Sequence, residues 1–373
     1  MSGGPAKTKR VVIIGMGDTG VLVAARLSRH FQVIGISTKP NLVSGQELGK
    51  RLADLDWWQR FYNTPLHRFK ALSRVEIRHA KATSVDLDNQ TVTVLDQSKR
   101  ETRIPYDFLI IASGTSNGFW RDDSVRSEAD IDAQLRSDAR AISDARSIAI
   151  VGGGPCGVSS ALNIQRAYPD KSVSLFISAD LPLHGYHTSA RQYYHQELIK
   201  VGVQLFTGHR AITPTPAPRA GTIHFESGQS AIADTIIWST GDRKPHTDFL
   251  PNELLDEEGF VKTRSTLEVT GRDNVFAIGD VASTDPARSS ARNWAYGVLV
   301  HNLKRRAAGR AANKRYTPPA NRWGSIVGPQ DTGLTLHQDS GKTTRLSRWL
   351  VDKVLLPTVV QRMIYRGVKR LER

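Results

Sequence analysis

The chain has 373 residues, of which 39% are hydrophobic and 23% charged. This composition is typical of a globular protein and excludes a disordered one, and the length predicts two or three domains. The formal net charge of +15 favours polyanionic neighbours such as an anionic membrane surface, nucleic acid or phosphorylated ligands, although a merely basic soluble surface would give the same total.

The first residues and the cysteine content indicate the compartment. The opening ten residues lack the apolar core of a secretory signal and have no glycine at position 2, so we expect neither secretion nor N-myristoylation. No apolar run approaches the ~20 residues that span a bilayer. The one cysteine cannot form an internal disulfide, which agrees with a reducing compartment.

A strand, a glycine loop, a helix and a second strand follow one another early in the chain. Residues 9–14 (KRVVII) predict a buried strand, and 15–20 (GMGDTG) form the loop. Residues 21–31 show helical spacing of apolar side chains, and 31–37 (FQVIGIS) predict the next strand. In such a unit the three glycines allow a tight turn, close approach to a pyrophosphate, and packing of helix on strand. The pattern predicts a dinucleotide-binding unit, whereas the glycines alone would also suit a structural loop.

The same order recurs downstream. Residues 147–151 predict a strand, 152–157 (GGGPCG) a loop, 158–168 a helix, and 172–178 (SVSLFIS) another strand. The chain is therefore predicted to contain two dinucleotide units. Cys156 lies inside the second loop, where it is either a small packing residue or a thiol made reactive by the helix N-terminus.

Other segments surround the two units. Residues 127–130 (SEAD) predict a capping box for a helix before the second unit. Residues 105–114 (PYDFLIIASG), 233–241 (ADTIIWSTG) and 274–282 (NVFAIGDVA) each predict a buried strand that ends in small residues. By pattern alone, Asp280 in the last segment would be the N-cap of a helix.

Taken in this order, GMGDTG, LIIASG, GGGPCG, IIWSTG and NVFAIGDVA resemble the two-dinucleotide-domain flavoprotein oxidoreductases over roughly residues 10–310. Within that group the sequence more closely resembles the apoptosis-inducing-factor-like branch, which includes the ferroptosis-suppressor type of NAD(P)H:quinone reductase. This resemblance is carried by residues 148–176, 243–250 (RKPHTDFL) and 293–303 (NWAYGVLVHNL). Type II NADH dehydrogenases are more distantly similar.

The resemblance implies an α/β fold with two doubly wound, Rossmann-like dinucleotide-binding domains. The FAD-binding domain is expected to be discontinuous, comprising residues 9–115 and 259–320. The NAD(P)H-binding domain is expected as an insertion at 116–258, and a C-terminal extension at 321–373.

The resemblance also implies FAD on the first unit and NADH or NADPH on the second. Asp280 would hydrogen-bond the ribityl chain of FAD, and backbone N–H groups near Ala282 would face the flavin pyrimidine edge. The expected FAD-binding residues are Gly15, Gly17, Asp18, Thr19, Gly20, Ser37, Thr38, Lys39, Ala82, Ala112, Ser113, Gly114, Gly279, Asp280, Val281 and Ala282. The expected NAD(P)H-binding residues are Gly152, Gly154, Pro155, Cys156, Gly157, Ser178, Thr240 and Gly241.

Two departures concern the residues that grip the adenosine ribose. A dinucleotide unit usually ends its second strand with Asp or Glu, but the first unit has Ser37 and the second has Ser178 there. A serine still hydrogen-bonds a ribose, and the missing carboxylate at Ser178 removes repulsion against a 2′-phosphate. His184, His187 and Arg191 follow nearby, so NADPH is permitted and NADH is not excluded. The glutamate often found after the second loop, at about Ser159, is also missing, which weakens the transfer of nicotinamide-positioning roles.

The expected electron acceptor follows from what the sequence lacks. Residues 41–52, where disulfide-reducing relatives carry a cysteine pair, contain no cysteine, which excludes a dithiol relay within one chain. No metal-ligand spacing is present, so we expect no metal site. The flavin then carries the chemistry, and no side chain is assigned as catalytic. Trp294, Tyr296 and Trp323 either border a planar acceptor site or are packing residues.

The segment 345–373 concentrates charge, with eight Lys/Arg and two Asp/Glu. Its apolar residues recur near helical spacing, and Pro357 is expected to break or kink it into two helices. A basic amphipathic helix suits an anionic membrane surface or, equally, packing on the FAD-binding domain or at a homodimer interface, and nucleic acid is less expected.

Three functions are consistent with the sequence. The leading hypothesis is an FAD-dependent NAD(P)H:quinone-type oxidoreductase, cytoplasmic and peripheral on the inner face of the membrane. The second is a soluble reductase of an acidic, ferredoxin-like redox protein. The third is a redox-sensing effector with slow NAD(P)H turnover, for which the sequence shows no nucleic-acid motif.

Overall fold

The structure, a computed structural model, describes residues 8–116, 123–241, 244–288 and 293–369. The strands are β1 (Arg10–Ile14), β2 (Gln32–Ser37), β3 (Asn41–Val43), β4 (Asn63–Pro65), β5 (Val75–Asp86), β6 (Thr91–Asp96), β7 (Glu101–Pro105), β8 (Phe108–Ile111), β9 (Thr115–Ser116), β10 (Ser147–Val151), β11 (Ser172–Phe176), β12 (Gln204–Phe206), β13 (Gly221–His224), β14 (Ser230–Ala233), β15 (Thr235–Trp238), β16 (Lys244–Pro245), β17 (Val275–Ala277), β18 (Leu334–His337) and β19 (Thr343–Leu346). The helices are α1 (Asp18–Leu27), α2 (Leu48–Ala53), α3 (Leu55–Tyr62), α4 (Glu128–Asp144), α5 (Pro155–Ala167), α6 (Thr188–Lys200), α7 (Ala295–Ala307) and α8 (Arg348–Leu350), followed by a π-helix (Val351–Ile364).

The larger sheet has seven strands in the order β17-β8-β1-β2-β5-β6-β7. Strands β17, β8, β1, β2 and β5 run parallel, and β6 and β7 add antiparallel hairpins. The inner strands β1 and β8 are near-continuous apolar runs because both faces of a parallel sheet are covered. Strand β17 comes from far downstream in the sequence, so this sheet is built from two separate parts of the chain.

The smaller sheet has four parallel strands in the order β12-β11-β10-β15. The helix α5 crosses from β10 to β11, as in the first unit α1 crosses from β1 to β2. The helix α4 begins with the predicted capping box, in which Ser127 and Asp130 exchange side-chain and backbone hydrogen bonds. The α/β fold with two doubly wound units is thereby confirmed.

The last part of the chain packs on both units. The hairpin β18–β19 places His337 against Tyr193 and Tyr194 of α6, with ring centroids 5.4 and 5.2 Å apart. After the π-helix, Tyr365 stacks edge-on to Phe69 at 5.3 Å. The end of the described tail therefore packs on the FAD-binding unit, which is one of the two main alternatives that the sequence left open.

The predicted break at Pro357 is wrong. A single π-helix runs from Val351 to Ile364 with Pro357 inside it. The wider π turn relieves the clash between a proline ring and the carbonyl four residues earlier, so the chain continues past it. Residues 370–373 of the predicted basic segment lie outside the described residues.

Candidate functional site

The first glycine loop joins β1 to α1 and leaves one open position. Gly15 has φ +100°, and a Cβ there would overlap the Ala112 carbonyl. A Cβ at Gly20 would overlap the Gly15 carbonyl, whereas a Cβ at Gly17 would meet nothing within 4 Å. Gly17 is the N-cap of α1 and has no side-chain cap, so the free N–H groups of the first turn face open space. This is the geometry that binds a phosphate.

The second loop repeats this arrangement between β10 and α5. Gly152 has φ +117°, and a Cβ there would overlap the Ser239 carbonyl. Gly157 abuts the Gly152 carbonyl, and Gly154, the N-cap of α5, has nothing within 4 Å of an added Cβ. In each loop the two outer glycines are required by packing, and the middle glycine leaves space for a ligand.

Both loops open into one cavity of about 1180 Å³. This volume exceeds the ~300–1,000 Å³ typical of a site for one drug-sized ligand. Of the predicted residues, those lining the cavity are Gly15, Gly17, Asp18, Thr19, Ser37, Thr38, Lys39, Ala82, Ala112, Ser113, Gly114, Gly152, Gly154, Pro155, Cys156, Ser178, Thr240, Gly241, Gly279, Asp280 and Trp323. The strand ends and helix N-termini of the two units therefore meet in a single space.

Asp280 lies at the cavity wall and does not cap a helix. Residues 281–288 form turns, and α7 begins only at Ala295. Gly279 precedes it with φ +87°, and a Cβ there would lie 3.2 Å from the Thr19 hydroxyl, so this turn lies against the start of α1. The N-cap alternative for Asp280 is wrong, because the chain turns instead of starting a helix.

The comparison with known families decides the classification. The model of the family described as pyridine nucleotide-disulphide oxidoreductase matches residues 9–297. The chain belongs to this family. The two open glycine positions and the shared cavity fit the predicted cofactors, FAD and NAD(P)H.

Individual relatives of this oxidoreductase are moderately similar. It is 28% identical over 209 residues to the oxidoreductase ptaL of Pestalotiopsis fici, a match covering 55% of each chain. It is 26% identical over 267 residues to ferroptosis suppressor protein 1 of Mus musculus, covering 68% of this chain and 69% of that one. The match to ptaL thus spans about half of that protein.

Solved structures show the fold. The water-forming NADH oxidase of Lactobacillus brevis bound to NADH has a TM-score of 0.64 and 18% identity, covering 88% of this chain and 75% of that one. The likeness agrees with the two units described above.

Six predicted residues do not line the cavity. Gly20 and Gly157 pack the loops from behind, as their contacts above show. Val281 and Ala282 are buried, at 0% and 3% exposure, under the turn that follows Asp280. Trp294 and Tyr296 are also absent from the wall, so of the three aromatic candidates only Trp323 faces the cavity.

The aromatic residues separate into two environments. Trp323 donates its indole N–H to Asn293 and lies 6.2 Å from the ring of Trp294, which is 59% exposed. Tyr296 is buried on α7 with the Arg26 guanidinium 4.2 Å from its ring centroid. Trp323 and Trp294 therefore form an aromatic edge beside the cavity, whereas the structure does not bring Tyr296 to it.

Asp18 is placed beside the first loop but is engaged by protein donors. Its carboxylate accepts hydrogen bonds from the Ser44 hydroxyl at 2.7 Å, the Gly45 N–H at 2.9 Å and the Tyr365 hydroxyl at 3.2 Å. Burial, then the Asp18 charge, raises the pKa of Tyr365 well above its usual range, so the phenol stays a donor. These bonds hold the loop at Ser44–Gln46 and the C-terminal tail against the phosphate-binding turn. Sequence reasoning did not foresee this role because Tyr365 is remote in the chain.

Ser37, which was expected to hydrogen-bond the ribose of FAD, is hydrogen-bonded to the backbone of Lys39. The Ser37 hydroxyl donates to the Lys39 carbonyl at 2.7 Å and accepts from the Lys39 N–H at 3.2 Å. A hydroxyl oxygen accepts two hydrogen bonds, so this one retains capacity for a second acceptor bond. The carbonyl of Thr38 accepts a hydrogen bond from the Arg126 N–H at 3.0 Å, which fixes the strand end beside α4.

The missing glutamate at Ser159 has a structural reason. Ser159 is 2% exposed, and a Cβ on Gly49 of α2 would come within 2.5 Å of its hydroxyl. The two helices are so close that a longer side chain at Ser159 would not fit. Glu47, which has φ +52° at the start of α2, is the glutamate that lines the cavity in this region. The one hint in the sequence was that Glu47 lies in segment 41–52, which was expected to lie beside the flavin.

A buried ion pair at the cavity wall was also missed. Arg51 on α2 and Asp138 on α4 are 4% and 1% exposed, with nitrogen and oxygen 3.8 Å apart. Asp138 also accepts from Arg219 at 3.0 Å and from Gln134 at 2.7 Å. This cluster ties α2 to the segment before the second unit. No periodic pattern in the sequence predicts this cluster, because its members are far apart in the chain.

Cys156 lies at the second position of α5 and is half-buried at the cavity wall. Its carbonyl accepts a hydrogen bond from the Ser160 hydroxyl at 2.7 Å. A small side chain suits this place, since Gly154 and Pro155 precede it where a pyrophosphate is expected. No group of three or more His, Cys, Asp or Glu side chains that could hold a metal ion occurs within the described ranges.

Proposed function

We propose that this family member is an FAD-dependent oxidoreductase that takes a hydride from NAD(P)H and delivers electrons to a quinone-type acceptor. The observation that carries the proposal is the single cavity shared by two phosphate-binding loops, with no thiol in the segment 41–52 beside it. Bound FAD supplies the redox chemistry, accepting a hydride from the nicotinamide and returning electrons to an acceptor.

The residues of the chain bind and orient the two nucleotides. The N-termini of α1 and α5 offer backbone N–H groups to the pyrophosphates at Gly17 and Gly154. Asp280 faces the cavity from the strand end opposite the first loop, where it would bind the ribityl hydroxyls of FAD. Close packing of α2 on α5 at Gly49 and Ser159 holds the two units together beside the cavity.

Trp323 is proposed to border the acceptor site. Its ring lines the cavity and is fixed by the hydrogen bond to Asn293. A planar quinone gains from stacking on such a ring. The resemblance to ferroptosis-suppressor-type quinone reductases and the match to ferroptosis suppressor protein 1 support a quinone over a dithiol acceptor.

The proposal is tested by steady-state NAD(P)H oxidation with a panel of soluble short-chain quinones, using protein shown to be FAD-loaded. We expect turnover with quinones, and a raised KM for quinone in Trp323→Ala that Trp323→Phe restores. The rate of flavin bleaching by NAD(P)H should be the same in all three proteins. Absence of quinone turnover in FAD-loaded protein would refute the proposal.

A peripheral membrane location is proposed from the C-terminal segment. No helix within the described ranges is long and apolar enough to cross a bilayer. Trp349 on α8 and Met363 on the π-helix are 66% and 63% exposed. The basic residues Lys353 and Arg362 are exposed on the same π-helix. Such a mixture of exposed apolar and basic side chains suits an anionic lipid surface.

The test is co-sedimentation with lipid vesicles. We expect the protein to sediment with anionic but not with neutral vesicles, and the double variant Trp349→Ser/Met363→Ser to lose this binding. Equal recovery with both vesicle types would contradict the proposed location.

A further inference from the structure

The second nucleotide loop leads to a place where two parallel strands end side by side. Strands β11 and β12 pair with Phe176 opposite Phe206. After β12 the chain returns, and the His209 N–H donates to the Ile177 carbonyl at 2.8 Å. Residues 209 and 210 therefore stand directly beside Ser178. In a dinucleotide unit, the residue at this strand end meets the hydroxyls of the adenosine ribose.

The side chains around this strand end are mainly basic. His184, His209 and Arg210 all line the cavity, and Ser178 contributes no charge. The His209 ring is held edge-on to Phe225 at 5.1 Å and hydrogen-bonded to the Thr207 carbonyl at 2.7 Å. Its position is thus fixed before any ligand binds.

The acidic side chains near this strand end are few or turned away. Glu226 lines the cavity and lies 3.8 Å from the Arg210 guanidinium, in a pair whose members are both about two-thirds exposed (66% and 64%). An exposed pair at that distance is weak, so Arg210 can exchange it for a phosphate. Asp180, two residues after Ser178, is exposed and not part of the cavity wall.

Two of the basic residues that follow Ser178 in sequence are used elsewhere. His187 caps α6 by accepting from the Ser189 N–H at 3.2 Å. Arg191 donates to the carbonyls of Pro182 and Leu181 at 3.1 and 3.2 Å. The basic groups at this strand end therefore come mainly from the segment that follows β12.

We propose that Arg210 and His209 bind the 2′-phosphate of NADPH and make the enzyme prefer NADPH to NADH. The inference rests on the proposed NAD(P)H oxidation and names the nucleotide for that same site. A guanidinium matches the oxygens of a phosphate with two parallel hydrogen bonds, and an uncharged Ser178 leaves that phosphate unopposed. NADH offers only a hydroxyl at the same place.

The test measures binding without any electron acceptor. 2′,5′-ADP and 5′-AMP are titrated separately into FAD-loaded enzyme by isothermal calorimetry. We expect 2′,5′-ADP to bind about tenfold more tightly or better, because charge-assisted hydrogen bonds to the extra phosphate contribute that much. Arg210→Ala should remove about tenfold of that preference while leaving 5′-AMP unchanged, and Arg210→Lys should retain part of it.

Two further variants complete the experiment. Arg100→Ala removes an exposed arginine that pairs with Asp96 in the turn between β6 and β7, away from the cavity, and should change neither affinity. Glu226→Gln removes the competing carboxylate and should tighten 2′,5′-ADP binding. Circular dichroism of each variant verifies folding, and Arg210→Gln replaces Arg210→Ala if the latter does not fold.

Equal affinity of the wild-type enzyme for 2′,5′-ADP and 5′-AMP would overturn the inference, as would an Arg210→Ala variant with undiminished preference. Weaker 5′-AMP binding in Glu226→Gln would assign Glu226 to the ribose hydroxyls and would also overturn it. The titration contains no quinone, so its result is independent of the electron acceptor. If Arg210→Ala loses the preference for 2′,5′-ADP but the wild-type enzyme turns over no quinone, only the proposed acceptor is refuted.

Discussion

At the scale of single residues, the glycines of the two loops divide by what surrounds them. Gly15 and Gly152 have positive φ and abut backbone carbonyls, so any side chain there would disrupt the fold. Gly17 and Gly154 have φ near −76°, which every residue adopts, and open space around them. The middle glycines are therefore required by the ligand and not by the chain.

This difference gives the first prediction. Gly154→Ala should fold normally but weaken NAD(P)H binding about tenfold, equivalent to about 1.4 kcal/mol, because the methyl occupies the approach of the pyrophosphate. Gly17→Ala should act likewise on FAD. Thermal melting of the apoprotein and nucleotide titration separate the two effects. Gly297→Ala, in the open on α7, is the matched control and should leave both affinities unchanged.

The buried pair of Arg51 and Asp138 gives a second prediction. Asp138→Ala should lower the free energy of unfolding by about 3 kcal/mol, because it removes a buried carboxylate that Arg51, Arg219 and Gln134 all contact. Urea denaturation measures this. Arg136→Ala on the same helix removes an exposed pair with Asp132 at 2.8 Å and should cost less than about 1 kcal/mol. A similar loss in both variants would contradict the account.

At the scale of elements, the hairpin β18–β19 is fixed to α6 through His337. Burial, then the nearby Arg345 charge, lowers the pKa of His337 below its usual 6.5. The unfolded chain therefore binds a proton that the folded chain rejects. Stability from the neutral ring is present above the unfolded pKa and is lost as pH falls below it.

We accordingly expect the free energy of unfolding to decline between pH 7 and 5, and His337→Phe to flatten that decline. Urea denaturation at several pH values measures it. His30→Phe, whose side chain is exposed at the end of α1, serves as control. A decline of equal slope in wild type and His337→Phe would show that His337 does not contribute.

Some elements could be predicted from sequence and others could not. Strands β1, β8, β10 and β17 are apolar runs that a glycine follows within three residues, so local pattern defined them and the loops that follow. The π-helix through Pro357 was missed because a proline ordinarily ends an α-helix, and only the packing of the tail fixes the wider turn. The hydrogen bond from Tyr365 to Asp18 could not be predicted either, because the two residues are remote in sequence.

At the scale of the whole molecule, the sequence predicted which loops bind nucleotides but not which side chains border them from other elements. Arg210 was missed because it follows β12 and not the second strand of its unit, and Glu47 because it lies at the turn before the short helix α2. For Tyr296 the sequence left two alternatives open, and the structure agrees with the packing one, because the helix after the Gly-Asp turn buries this side chain beside Arg26. Which side chains of neighbouring strands and helices reach the cavity depends on the tertiary fold, so no periodic pattern in a single sequence predicts them.

The central claim is that one cavity lets NAD(P)H reduce the flavin and a quinone reoxidise it. The most direct test is double-mixing stopped-flow: FAD-loaded enzyme is bleached with NADPH or NADH under nitrogen and then mixed with a short-chain quinone, a ferredoxin or oxygen. We predict complete bleaching, and recovery of the flavin absorbance fastest with the quinone. Recovery that is fastest with ferredoxin, or equally slow with all three, would contradict the account.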